Sequence, residues 1–252
     1  MTLTAQMFIV VCPLLFLAGF IDAVGGGGGL ISLPAYLLAG LPYQMAVGCN
    51  KLSATCGTIM TTARFLKNGF INFKLVIPAV VAGVVGSSTG AKLMLQMDNS
   101  FMENLLLILL PISAAVIMHP KLFRDNPHKE LVVDLKLYLT VMAVALVMGF
   151  YDGFYGPGSG TFMIIAFTFF AKMSLPQANA QTKVINLTAN ITSLTILLME
   201  GSVLLPLGLA GAVCNMVGSF LGTGIAIKNN SKITKPIILL VMALLFVKIL
   251  TG

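Results

Sequence analysis

The sequence predicts an all-α protein: a polytopic transmembrane helix bundle of two inverted repeats, each a glycine-turned helical hairpin plus three crossing helices. Three observations lead there. Hydrophobic residues make up 58% of the 252 and charged residues only 9%. A multi-point pattern recurs on either side of a polar midpoint. The Lys and Arg residues sort to one side of a membrane only if each repeat begins with a hairpin.

Composition sets the class. A soluble domain carries about 25% charged residues. With so few charges and a mean hydropathy of +0.98, much of the apolar surface needs lipid as its solvent. Met1 to Gln6 hold no Lys or Arg, and no small-x-small site follows, so the first apolar run reads as a membrane segment rather than a cleaved signal. The pI near 9.3 is ascribed to cytoplasmic loops, not to a nucleic-acid partner. Cys12, Cys49, Cys56 and Cys214 lie in apolar stretches without C-x-x-C spacing and read as small hydrophobes. His119 and His128 read as loop residues. No metal site and no cofactor is expected.

Apolar segments run at 7–24, 30–40, 44–63, 75–97 and 101–118, then at 137–151, 161–171, 184–199, 203–227 and 236–250. The polar stretch 119–136 divides the chain into a first repeat, 1–118, and a second, 137–252. Gly19-Phe20-Ile21-Asp22, leading into Gly25 through Gly29, reappears as Gly149-Phe150-Tyr151-Asp152, leading into Gly156-Pro157-Gly158-Ser159-Gly160. Leu41-Pro42 answers Leu175-Pro176, and Asn50-Lys51 answers Thr182-Lys183. Such duplication is common in transporters.

Charge then chooses the topology. If 7–40 and 137–171 were single broken spans, Arg64, Lys67, Lys74, Lys121, Arg124, Lys129, Lys136 and Lys248 would face Lys92, Lys172, Lys228, Lys232 and Lys235 across the membrane. If each region instead turns at its glycines and returns, only Lys92 and Lys248 stand opposite all the others. The positive-inside rule prefers the second arrangement. Three crossings per half then make the repeats inverted, in a cell inner membrane, with both termini periplasmic.

The glycine runs bear on chemistry. Each glycine costs about 0.8–1 kcal/mol relative to Ala in a helix, so five in a row predict unwound backbone. Non-helical backbone at membrane depth must be enclosed by protein or line a cavity. Helices starting at Leu30 and Thr161 would then turn their N-termini, with Gly27, Gly28, Gly29, Gly158, Ser159 and Gly160, toward an anion. Tight helix packing is the plainer reading of these glycines, and both can hold. A phosphate-binding loop is excluded because no Gly-Lys-Ser/Thr follows.

Lys51 and Lys183 each sit roughly two turns into a segment, about 10 Å at 1.5 Å per residue. A charge there is expensive, on the order of 2.5–3.5 kcal/mol on the insertion scale. They are read as an anion site, with snorkelling to the interface as the alternative. Asn50, Thr182, Asn186 and Asn190 would add neutral donors, Asn186 and Asn190 sharing a helix face with Lys183. Asp22 and Asp152 precede the glycine turns. They are candidates to pair with the lysines and be released by substrate, or to carry a coupling proton, or simply to cap a helix end.

These motifs resemble the TauE/SafE (sulfite exporter-like, TSUP) family of membrane permeases. The likeness rests on G-F-x-D before the glycines, A-x-G-x-N-K-L at 46–52, and A-N-A-Q-T-K-V-I-N-L-T-A-N at 178–190. It spans essentially the whole chain. It implies a permease for sulfite, a sulfonate or another sulfur-containing oxyanion. One departure is the five-glycine run against Gly-Pro-Gly-Ser-Gly, so the two loops need not be equivalent.

The expectation is a secondary transporter, not an enzyme, that moves a small anion by alternating access. A membrane-embedded enzyme acting on lipid phosphate is the first alternative, and it lacks His or Arg within a span. A passive anion channel is the second. The bilayer and a small anionic substrate are the implied partners, and a coupling ion (H+ or Na+) and a homodimer are compatible with the pattern.

Overall fold

The structure is a computed structural model, and residues 3–118 and 133–228 are described. Most of the linker and the last expected crossing, 236–250, lie outside the described residues, as do His119 and His128. The described chain forms α1 (Ala5–Gly25), α2 (Gly29–Leu38), α3 (Tyr43–Lys67), α4 (Phe73–Leu95), α5 (Asn99–Met118), α6 (Leu135–Phe154), α7 (Ser159–Phe169), α8 (Leu175–Met199) and α9 (Leu205–Lys228). Among the described residues there is no strand.

Five of these helices, α1, α4, α6, α8 and α9, are long and apolar enough to cross a membrane. Helix α3 has 25 residues but is too polar for that criterion, because it carries Asn50, Lys51 and a run of Thr and Ser. The hairpin arms are unequal, as the apolar runs 7–24 and 30–40 already are. Helix α1 has 21 residues and α2 only 10, or about 31 Å against 15 Å at 1.5 Å per residue. Helix α8 also begins nine residues before the apolar run at 184. Its first turn, Leu-Pro-Gln-Ala, is started by Pro176 and by Gln177 Oε1 accepting from Ser174 N (3.1 Å) and Ser174 Oγ (2.9 Å). The polar turn that follows is buried against protein, so its low hydropathy does not break the helix.

The halves interlock. Helix α4 packs on α6, and its repeat equivalent α9 packs on α1. Both contacts use a small-x-x-x-small seam. A Cβ on Gly86 or Gly90 would lie 2.2 Å from the carbonyl oxygens of Leu146 and Phe150 respectively. On Gly218 and Gly222 it would lie 2.0 and 2.3 Å from those of Phe16 and Phe20. Only glycine lets these backbones meet. In both seams the residue numbers rise together, so the paired helices run parallel. The central helices α3 and α8 cross in opposite senses: Lys51 reaches Asn190, while Thr62 Oγ1 donates to Lys183 O at 3.3 Å.

Among the described residues the two largest apolar clusters supply most of the core, with a small third one around Phe65, Ala180 and Ala226. One joins Val11, Leu15, Leu33, Tyr36 and Tyr43 to Met102 and Leu106 of α5. The other joins Leu75, Val141, Met163, Phe167 and Ile185. The polar side chains gather elsewhere, on α3, α8 and the hairpin turns.

Candidate functional site

The two hairpin tips meet. Gly26 and Gly158 have positive φ (81° and 84°), a conformation that lets the chain double back at little cost only for glycine. A Cβ on Gly26 would fall 2.5 Å from the Gly160 carbonyl carbon, and Thr161 Oγ1 donates to Gly25 O at 2.8 Å. Asn179 Nδ2 donates to the carbonyls of Ala23 and Val24 at 3.1 and 3.3 Å, satisfying the C-terminal end of α1. Helices α2 and α7 start at Gly29 and Ser159, one and two residues earlier than expected.

Each lysine pairs with the aspartate of the other half of the chain. Lys51 Nζ donates to Asp152 Oδ2 (2.7 Å), to the Asp152 carbonyl (2.8 Å) and to Asn190 Oδ1 (3.2 Å), which uses all three of its donors. Lys183 Nζ donates to Asp22 Oδ2 (2.7 Å) and to the Asp22 carbonyl. The side chains of Lys51 and Lys183 are 2% and 0% exposed, so neither snorkels. The aspartates sit where one helix ends and the next begins. Each ammonium meets carbonyls at the C-terminal end of α6 or α1, where a cation is favourable, and each carboxylate faces the N-terminus of α7 or α2, where an anion is favourable. Asp152 Oδ1 accepts from Ser159 Oγ at 2.5 Å, and Asp22 Oδ1 from Gly28 N at 3.4 Å.

A cavity of about 40 Å³ lies between the pairs. One water needs about 10–15 Å³ by this measure, so there is room for a few waters or a small oxyanion. Lys51, Asn50, Asn186 and Asn190 line it from α3 and α8, and Gly28, Gly29, Gly158 and Ser159 from the hairpin tips, beside both aspartates. Four expected residues do not line it. Lys183 is shut behind Asp22. Gly27 faces Thr161 (a Cβ would be 3.5 Å from its hydroxyl), and Gly160 is pressed between Gly26 and Asn186. Thr182 is fully buried with its hydroxyl unpaired. Ser32, Thr58 and Asn215 line the cavity and were not anticipated. Asn215 carried a legible signal, an amide inside an otherwise apolar span. Among the described residues no group of three His, Cys, Asp or Glu could hold a metal ion.

A buried polar centre between broken helices is a transporter-like arrangement, and comparison with known proteins points to transporters. The profile of the Sulfite exporter TauE/SafE family matches residues 11–249. The chain belongs to the TauE/SafE family. Its curated relatives include a "Probable membrane transporter protein" of Haemophilus influenzae, 32% identical over 92% of this chain and 90% of that one. YfcA of Escherichia coli K12, also named a probable membrane transporter protein, is 31% identical over 98% of this chain and 94% of its own. A third, ORF9 of a Sinorhizobium species, bears the same description at 30% identity over 93% and 89%. No solved structure matches. The TauE/SafE assignment and the five long apolar helices make this an integral membrane protein related to transporters.

Proposed function

We propose that this TauE/SafE protein is a secondary transporter for a small sulfur-containing oxyanion, such as sulfite or a sulfonate. The observation that carries the reading is the reciprocal Lys51–Asp152 and Lys183–Asp22 pairing around one buried cavity. Buried charge at membrane depth is expensive and marks a transport path. Lys51, Asn50, Asn186, Asn190, Ser159 and the N-terminal glycines of α2 and α7 bind the anion, while Asp22 and Asp152 act as gates that hold the lysines until it arrives. Lys183 and Thr182 take the equivalent places when the second repeat opens.

The halves insert as inverted repeats with both termini periplasmic. The charge split supports this, and so do the opposite senses of α3 and α8. Packing of the two hairpin tips against each other favours a carrier over an open channel. Flux of sulfite, thiosulfate and methanesulfonate into proteoliposomes tests the proposal. Saturable flux of at least one anion, abolished by Lys51→Ala and by Lys183→Ala, is expected. Unchanged flux in both variants would rule out the site.

A further inference from the structure

We infer that the anion enters by exchange for the Asp152 carboxylate, and that Asp152 takes up a proton as it releases Lys51, so that transport is anion–proton symport. This rests on the transporter reading above and specifies its coupling.

Charge balance is the first argument. The centre holds two ammonium groups, Lys51 and Lys183, and two carboxylates, Asp152 and Asp22. Among the described residues Lys51, Lys183 and Asp152 are the buried charges, and Asp22 is half-buried beside Lys183. The site is therefore neutral before any substrate arrives. An anion that pairs with Lys51 evicts a carboxylate whose side chain is 7% exposed. Left ionised, that carboxylate would be a buried charge without a partner, which proteins avoid. When the anion is a monoanion such as methanesulfonate, a proton from the aqueous phase restores neutrality: the carboxylate oxygen gains an O–H bond, the ammonium keeps its three protons, and the anion replaces the lost negative charge.

The second argument selects Asp152 over Asp22. Lys51 lines the cavity and Lys183 does not. The partner of Asp152 Oδ1 is a hydroxyl, Ser159 Oγ. A hydroxyl donates to a carboxylate and, once rotated, accepts from a carboxylic acid. The partner of Asp22 Oδ1 is the Gly28 N–H, which can donate to a carboxylate but cannot turn to accept from a carboxylic acid.

The third argument selects a proton over a metal cation. The groups facing Asp152 are Lys51 from α3 and Ser159 from α7, with Asn190 from α8 against Lys51 and the Asp22–Lys183 pair across the cavity. The atoms bonded to its carboxylate oxygens are donors, whereas a hard cation needs a shell of oxygen acceptors.

The test uses the purified full-length protein in lightly buffered solution with a pH-indicator dye. Sulfite, thiosulfate and methanesulfonate are the probes, each brought to the sample pH and corrected with a protein-free blank. The wild type is expected to take up about one proton per bound methanesulfonate, with affinity rising as pH falls. Asp152→Asn is expected to bind the same anion without proton uptake and with little dependence on pH. A second measurement needs no variant: an acid-outside gradient should drive methanesulfonate into wild-type proteoliposomes, and a potassium diffusion potential alone should not. Binding without proton uptake, proton uptake retained in Asp152→Asn, or accumulation driven by the potential alone would overturn the coupling and leave the transporter reading standing. Failure of all three anions to bind would remove both.

Discussion

Replacing Lys51 with Met separates a structural from an incidental role for the charged centre. The wild-type ammonium makes three hydrogen bonds of 2.7–3.2 Å, two of them to Asp152 and one to Asn190. Met keeps most of the side-chain volume, so the cavity term is small. What remains is a carboxylate, 7% exposed, that has lost its counter-ion. Breaking a buried pair from one side costs about 3–5 kcal/mol, while removing both partners is often close to neutral. Lys51→Met is therefore expected to destabilise by roughly 3–5 kcal/mol. Adding Asp152→Asn, which keeps a hydrogen bond to Ser159, should recover about 2–3 kcal/mol of that as coupling in the double-mutant cycle. The same cycle at Lys183 and Asp22 should give a smaller coupling, because the Asp22 side chain is 22% exposed and partly screened by solvent. Reversible unfolding in mixed micelles, or unfolding by steric trapping in bicelles, reads all six variants. If Lys51→Met is as stable as the wild type, or the double variant is worse than the sum of the singles, the ion pair is not what joins the repeats here.

Other outcomes follow from particular contacts. Gly218→Ala places a Cβ 2.0 Å from the Phe16 carbonyl, where ordinary contact begins near 3.4 Å. The α1 and α9 backbones must then part by more than an ångström, costing about 1–3 kcal/mol in thermal unfolding, and Gly86→Ala should do the same at the α4–α6 seam. Asn179→Ala removes two neutral hydrogen bonds from the end of α1 and should cost less, roughly 0.6–1.7 kcal/mol. For topology, Asn68→Cys and Gln96→Cys in a cysteine-free background flank α4 at exposed positions. An impermeant maleimide added to intact cells should label the second and not the first, and the reverse pattern would refute periplasmic termini.

Much of the site was legible because it is written in local pattern. Runs such as Gly25 to Gly29 and Gly156 to Gly160 resist helix formation wherever they occur, and the structure turns there. Lys51 and Lys183 were legible because a charge in an apolar stretch is costly in any tertiary setting. The seams at Gly86, Gly90, Gly218 and Gly222 show a four-residue spacing in the sequence, but which helix each glycine faces is set only by the packing of α4 on α6 and of α9 on α1. Ser32 and Thr58 were missed for a similar reason. Each is an ordinary polar residue on a helix, and only the approach of another helix makes it part of a cavity. Lys183 and Thr182 match Lys51 and Asn50 in sequence, yet they do not reach the cavity here, because the two repeats are not identically placed around it.

By itself the sequence determined the membrane class, the duplicated pattern, the broken helices and the charged residues placed within apolar stretches. Each follows from the cost of a residue type in lipid or in a helix, and that cost is paid locally. Only the tertiary structure decided that Lys51 meets Asp152 while Lys183 meets Asp22, and that one pair faces the cavity while the other is closed. Those facts depend on how one repeat crosses the other, at separations of 101 and 161 residues, and no spacing within a single segment encodes such a crossing.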